Sequence, residues 1–473
     1  MLSGAAARAA PAAPEADSTG GEAPADGAMS PPLRRGAGAG AGASRTPAGG
    51  TPSGASRIPA GAAADAAARG LPRPEPIVEL PILILFPHSR CNCRCLMCDI
   101  WRDTAKREIA TSEVAAWAPE WRRLGVRQVA LSGGEALLHS DLWALCDHLT
   151  AAGIAITLLS TGLLLRRDAM QIARCCAEVI VSLDGPPAVH DEVRNLPRAY
   201  AKLAAGVTAL RAAAPALPIG GRCTVQRANF RHLRATVAAA RDAGLDRLSF
   251  LAADVSTDAF NRPLPWEPGR VAEVALAAAD LPHLAAELDD LERDCAAELE
   301  SGYIVEDAAK LRRRLYGYYA ALHGQGDFPP NRCNAPWVST VIEADGTVRP
   351  CFFQPPLGNL RREGNLEAIL NSPAALAWRA GLDVARDRIC RKCVCTLAWD
   401  AAEQDGAPAA NGRTAAPSAG RAAARETLPR SPTAQPLDGA AAIPPHGDSS
   451  ATAAPAAATT PPANSAAAAR PAP

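Results

Sequence analysis

Cys91, Cys95 and Cys98 lie in one short stretch, Cys91-Asn92-Cys93-Arg94-Cys95-Leu96-Met97-Cys98, spaced Cys-x3-Cys-x2-Cys. A closed iron–sulfur cube or a structural zinc takes four protein ligands. Three thiolates on a four-iron cluster leave one iron open, and an open iron can bind a substrate or cofactor. A fully capped cluster only passes electrons. The competing reading is a structural zinc loop completed by Cys93 or His88.

Further along, Leu131-Ser132-Gly133-Gly134-Glu135 closes an apolar run with two glycines. Such a turn lets the backbone approach a ligand and present its N–H and C=O groups. Val181-Ser182-Leu183-Asp184-Gly185-Pro186 closes another run and is followed by His190-Asp191 and Arg194. A hydroxyl and a carboxylate there can meet ribose hydroxyls, and an arginine can grip a carboxylate as a two-pronged fork. The plainer alternatives are a tight strand–helix turn, turn-capping by Ser182 and Asp184, and a solvated Arg194.

A second group comprises Cys333, Cys351, Cys390, Cys393 and Cys395. Four of these thiolates, gathered by a hairpin and a terminal loop, suit another cluster, with a zinc ribbon as the structural alternative. The remaining cysteines, Cys146, Cys175, Cys176, Cys223 and Cys295, lie in apolar runs and read as core thiols. Asp254, after the last strand of the first domain, is a candidate proton acceptor. Tyr316, Tyr318 and Tyr319 read as helix packing.

The elements that must hold these residues follow from hydropathy. Short apolar runs at Ile82–Phe86, Gln128–Leu131, Ala155–Leu159, Val179–Leu183, Arg222–Val225 and Arg247–Leu251 read as parallel strands buried on both faces. Helical stretches alternate with them at Ser112–Leu124, Asp141–Ala152, Arg167–Cys176, Ala199–Ala213 and Arg231–Ala243. The repeat of roughly 30 residues is that of a βα unit. An eight-stranded barrel needs about 250 residues, so the count favours an open six-stranded barrel or a doubly wound sheet. All the candidate ligand-binding turns fall at C-terminal strand ends, where parallel α/β folds bind ligands.

Three further helices are expected at Ala272–Ala279, Leu284–Leu299 and Ala308–Leu322. Val338–Ile342 and Val348–Phe353 flank Ala344-Asp345-Gly346 as a β-hairpin, followed by a helix over Leu366–Ala380. The expected organisation is a disordered tail over 1–75, a core over 76–255, a helical connection over 256–330, a small cysteine domain over 331–402 and a second disordered tail over 403–473.

Composition bounds the partners. Lys+Arg and Asp+Glu are equal at 49 each, which gives no broad basic surface for nucleic acid. The run Ile82–Phe86 is far short of the ~18 to 20 residues that span a bilayer. Pro11, Pro14, Glu15 and Asp17 break up the N-terminal alanines, so no secretory signal is expected and the placement is cytoplasmic, where clustered cysteines read as metal sites.

Taken together, these residues resemble the radical S-adenosylmethionine (SAM) superfamily over about 80–255. The resemblance implies an α/β fold, a partial TIM-like (β/α)6 barrel, whose 4Fe-4S cluster on Cys91, Cys95 and Cys98 chelates SAM and releases a 5'-deoxyadenosyl radical. It places Gly133, Gly134 and Glu135 at the methionyl amino group, Ser182 at the ribose or carboxylate, and Arg194 at the carboxylate, with Asp184 beside Ser182 as the residue for ribose hydroxyls. One departure is Met97, where the family usually has an aromatic residue against the adenine. Cys93 is surplus to the motif and expected unligated. The second cysteine group resembles a twitch or SPASM-type domain holding one auxiliary 4Fe-4S cluster, with Cys333, Cys351, Cys390 and Cys393 as ligands and Cys395 as the alternative fourth. A flavodoxin- or ferredoxin-type donor would supply the electron. The substrate would be a small molecule or a peptide, oxidised with the auxiliary cluster as electron relay. A maturase of a peptide or cofactor precursor is the alternative, and a non-catalytic zinc scaffold is the rival from another class.

Overall fold

The computed structural model describes residues 75–260, 262 and 266–400; the two expected disordered tails fall outside them, apart from residue 75. Six strands follow one another as β1 (Ile82–Leu85), β2 (Gln128–Leu131), β3 (Ala155–Ser160), β4 (Glu178–Ser182), β5 (Ile219–Val225) and β6 (Arg247–Ala252). All pair in parallel with their sequence neighbours. Strand order therefore runs in chain order, with no reversal. A doubly wound sheet needs a point where the order turns back, so the order selects the partial barrel, which stays open.

The connections carry the helices α1 (Thr111–Arg123), α2 (Leu142–Ala151), α3 (Leu165–Cys175), α4 (Pro187–Arg194), α5 (Ala199–Ala213) and α6 (Leu233–Asp242). Right-handed crossovers in a singly wound sheet put these helices on one face. Leu83, Leu85, Val129, Leu131, Val179, Val181, Cys223 and Val225 are accordingly sealed on that face. Alternate residues such as Ile84, Ala130, Ile180, Ser182, Arg222 and Ser249 are only half-buried. The strands are thus not buried on both faces, as their apolar runs predict, because the inner face is left to line the barrel interior.

The hairpin is not a detached unit. β7 (Ser339–Ile342) pairs in parallel with β1, Ile82 beside Ser339, and β8 (Thr347–Arg349) and β9 (Gly358–Asn359) add antiparallel strands. One sheet of nine strands thereby carries both cysteine groups. β8 stops at Arg349, short of the predicted Phe353, because Pro350 has no N–H to donate. The helix predicted over Leu366–Ala380 splits into Leu366–Leu370 and Pro373–Ala380, where Ser372 caps the second piece by accepting from the Ala375 N–H at 3.3 Å.

Between barrel and hairpin, α7 (Pro268–Val274) and α8 (Leu281–Asp294) precede a helical run broken by a π turn at Arg312–Tyr316. Residues 303–305 run beside β6, with the Leu248 N–H donating to Tyr303 and the Val305 N–H to Leu248. Among the described residues, no helix is long and apolar enough to cross a membrane.

Candidate active site: two cysteine groups on one sheet

The cysteine loop leaves β1 at Phe86 and is tied down on three sides. The Glu135 N–H donates to the Arg90 carbonyl at 2.9 Å, fastening the loop to the glycine turn after β2. The Arg94 and Leu96 N–H groups donate to the carbonyls of Arg194 and Val193 at 3.2 and 3.1 Å. These are last-turn carbonyls of α4, which have no partner within their own helix. Both glycines are required by contact. A Cβ on Gly134 would sit 2.1 Å from the Arg90 oxygen, and Gly133, at φ +92, would place one 2.5 Å from the Phe86 ring.

The thiols differ in surroundings. Burial pushes Cys91 and Cys98 up to about 12. Cys95 is pulled down to about 6, first by a hydrogen bond from Cys93 and then by the Arg194 guanidinium, whose Nη1 donates to the Cys95 sulfur at 3.4 Å. Cys93 is sealed at 1% exposure against Cys95. His88, the other candidate to complete a zinc loop, is engaged at both ring nitrogens: Nδ1 accepts from the Arg90 N–H at 2.9 Å and Nε2 lies 3.4 Å from Glu108. Cys91, Cys95 and Cys98 remain the loop's candidate cluster ligands. The Asn92 Nδ2 between them is buried with no acceptor, a polar atom that a bound group would satisfy.

Several residues assigned to SAM by resemblance turn inward. Glu135 is fully buried, accepting from the Thr161 N–H at 2.7 Å, Thr161 Oγ1 at 2.6 Å and Ser160 Oγ at 3.0 Å. Its side chain staples β2 to β3, so only its backbone faces the loop. Burial raises its pKa despite those donors. Asp184 is likewise fully buried, 2.5 Å from Arg194 and accepting from the Thr224 N–H at 2.9 Å. Its carboxylate is committed to that pair and is not presented to a ribose. Burial raises its pKa, while Arg194 opposes the rise. Arg194 is therefore neither solvated nor wholly free for a ligand. Ser182 remains half-buried on the inner face, at the end of β4.

Asp254 departs from its sequence reading. It is 5% exposed, and both oxygens are taken: one by the Ser256 N–H and Oγ, each at 3.1 Å, the other by Thr257 Oγ1 at 2.5 Å and Arg262 Nη1 at 3.0 Å. A carboxylate so paired is a structural anchor rather than an open base. Through it, Arg262 donates to the Met97 carbonyl at 3.2 Å and lies 3.8 Å over the Trp266 ring. Trp266 in turn donates to Asp99 at 2.5 Å, and Arg270 donates to the Leu96 carbonyl. This strap across the cysteine loop was not legible in the sequence, because its members are 165 or more residues from their partners.

The second cysteine group lies where the chain end returns to the hairpin. The Asn331 amide donates to the Cys390 carbonyl at 2.5 Å and the Cys393 carbonyl at 3.2 Å. Gln354 donates to the Cys390 sulfur at 3.2 Å and to Asp387 at 3.0 Å. Arg314, aimed by the π turn, donates to Asn331 and to Thr396 Oγ1. Cys351 and Cys390 are pushed up to about 12 by burial, whereas Cys395 is the exposed member. Phe352 joins the two groups, its ring 5.5 Å from that of Phe86 and 6.4 Å from that of Phe260. The tyrosines pack as expected: Tyr318 and Tyr319 are buried, and the Tyr319 hydroxyl donates to the Val225 carbonyl at 2.7 Å. The five cysteines read as core thiols are all buried.

An open parallel barrel with a three-thiol loop after its first strand, beside a second cysteine group, is an arrangement suited to iron–sulfur chemistry. Comparison with known proteins gives the family: residues 85–221 match the radical SAM superfamily, and residues 333–394 match SPASM, an iron–sulfur cluster-binding domain. The chain carries a radical SAM domain and a SPASM domain, which indicate 4Fe-4S clusters and SAM as cofactors. It is similar to an AdoMet-dependent heme synthase of Methanosarcina barkeri, at 24% identity over 64% of this chain and 88% of that protein. It is also similar to a PqqA peptide cyclase of Ruegeria pomeroyi, at 28% identity over 59% and 69%. A pre-heme d1 synthase of Dinoroseobacter shibae matches at 29% over 38% of this chain and 43% of its own length.

Proposed function

We propose that Cys91, Cys95 and Cys98 hold the SAM-binding cluster and that Cys333, Cys351, Cys390 and Cys393 hold an auxiliary one. The observation that carries the second set is the extent of the SPASM match, which takes in those four thiols and ends at 394, before the exposed Cys395. The core then spans about 76–255 and the auxiliary domain about 331–402, joined by a helical connection. Held by Cys91, Cys95 and Cys98, the first cluster would supply the electron for reductive cleavage of SAM, the source of the radical that would take hydrogen from substrate.

This chain's own residues prepare that event. The glycine turn brings backbone groups to the methionyl end of SAM, and Ser182 offers a hydroxyl from the inner face. Arg194 sets its positive charge against Cys95 and offsets the thiolate charge that cluster binding creates. The strap of Arg262, Trp266 and Arg270 holds the loop that carries Cys95 and Cys98. Phe352, next to Cys351, packs 5.5 Å from Phe86, where the cysteine loop begins.

A four-thiol auxiliary cluster has no open iron, so it serves as an electron acceptor or relay, and the reaction is a net oxidation of substrate. The likeness to a heme synthase along most of that protein's length favours a small-molecule or cofactor precursor. The likeness to a peptide cyclase favours a peptide as the second reading. The electron donor is a flavodoxin- or ferredoxin-type carrier, and the setting is the cytoplasm.

Anaerobic reconstitution tests this reading. Roughly eight irons per chain with 5'-deoxyadenosine formed from SAM and dithionite is the expected result. Zinc in place of iron, with no deoxyadenosine, contradicts it.

A further inference from the structure

Arg222 is the residue that the account so far leaves without a task. It sits on β5 between Gly221 and Cys223, both buried on the helix-covered face, and is itself half-buried. Alternation therefore points it to the inner face. In the strand register it stands between Ser182 of β4 and Ser249 of β6, so three polar side chains cross the barrel interior in one row.

Its guanidinium lacks what the buried arginines around it have. Arg194 is paired with Asp184, and Arg262 with Asp254. Among the described residues the Arg222 guanidinium has no ion-pair or hydrogen-bond partner, and its Nε is buried with no acceptor. Glu306, whose carboxylate senses its charge, is already committed to the Ser249 hydroxyl at 3.0 Å and the Phe250 N–H at 2.9 Å.

A cation withdrawn from water without a counter-charge is costly. A planar fork with open donors matches a carboxylate in two parallel hydrogen bonds. We infer that Arg222 is the anchor for a carboxylate of the substrate, with the Ser182 and Ser249 hydroxyls flanking it. This deepens the proposed function and rests on the inner face being the substrate space. Held there, a substrate carboxylate fixes which carbon lies towards Ser182, on the side proposed for SAM.

The test uses glutarate as the carboxylate probe and glutaramide as its neutral counterpart, on reconstituted full-length enzyme loaded with SAM. Saturation-transfer NMR should detect glutarate but not glutaramide. Arg222→Gln should weaken glutarate binding by about tenfold or more, and Arg222→Lys should restore part of it. Independently of any variant, glutarate should protect Arg222 from phenylglyoxal, read by mass spectrometry of its peptide, and glutaramide should not. No glutarate binding in the wild type, equal binding in Arg222→Gln, or equal protection by the two probes overturns the inference. Deoxyadenosine formation by the wild type is measured alongside. If it occurs while the probes ignore Arg222, the anchor alone fails; if it does not occur, the radical reading fails first.

Discussion

Arg194 and Asp184 meet at 2.5 Å with side chains 7% and 0% exposed, and the same guanidinium reaches the Cys95 sulfur at 3.4 Å. The turn after β4, the end of α4 and the cysteine loop thus share one buried charge pair. Removing one partner strands the other. Arg194→Ala should cost about 3–5 kcal/mol of stability and lower iron retention at the first site, as measured by denaturant unfolding and iron analysis. An unchanged unfolding midpoint would show that the pair is not structural.

His190 gives that region a pH dependence. Its Nδ1 accepts from the Asp184 N–H at 3.2 Å, and burial, aided by Arg194, lowers its pKa to about 3. An imidazole whose folded pKa lies below its unfolded value binds fewer protons when folded. Its contribution is therefore complete above about pH 6.5 and is lost as pH falls towards 3. Over that window the wild type should lose up to about 1.4 kcal/mol per pH unit more than His190→Asn, which keeps an acceptor but does not titrate. Parallel pH–stability curves for the two proteins would contradict this.

Gly134 fixes the approach of the glycine turn to the cysteine loop. Since a Cβ there meets backbone at Arg90 rather than a movable side chain, Gly134→Ala must force the two loops apart. The expected outcome is about four irons per chain instead of about eight, with the auxiliary cluster retained. Full iron content with normal SAM binding in equilibrium dialysis would refute the steric argument.

Asp254 distinguishes an anchor from a base. Asp254→Asn leaves Arg262 buried and unpaired, so the strap should loosen and stability fall by about 3–5 kcal/mol. Denaturant unfolding measures this. A variant of wild-type stability that forms deoxyadenosine but no product would restore the proton-acceptor reading.

The strands were legible because each is a short apolar run ending in a turn, and the six of the barrel begin and end within three residues of their predicted limits. The cysteine spacings and the Gly133-Gly134 turn were legible for a similar reason, being local in the chain. What escaped is long-range. The pairing of Ile82 with Ser339 joins two segments far apart in the chain into one sheet, and neither segment's sequence names its partner. Asp184 and Asp254 read as open carboxylates because their arginines, Arg194 and Arg262, become partners only through the loop geometry. Arg222 looked like the first residue of a strand, and only the register between Ser182 and Ser249 reveals its direction.

The central claim is that the three-thiol loop houses the SAM-cleaving cluster and the hairpin region houses a separate one. The most direct measurement is iron per chain and 5'-deoxyadenosine yield for Cys98→Ala beside the wild type, under strict anaerobiosis with dithionite. The account predicts a fall from about eight irons to about four and complete loss of deoxyadenosine, with the auxiliary cluster's absorption near ~400 nm retained. Deoxyadenosine still formed by Cys98→Ala would contradict it.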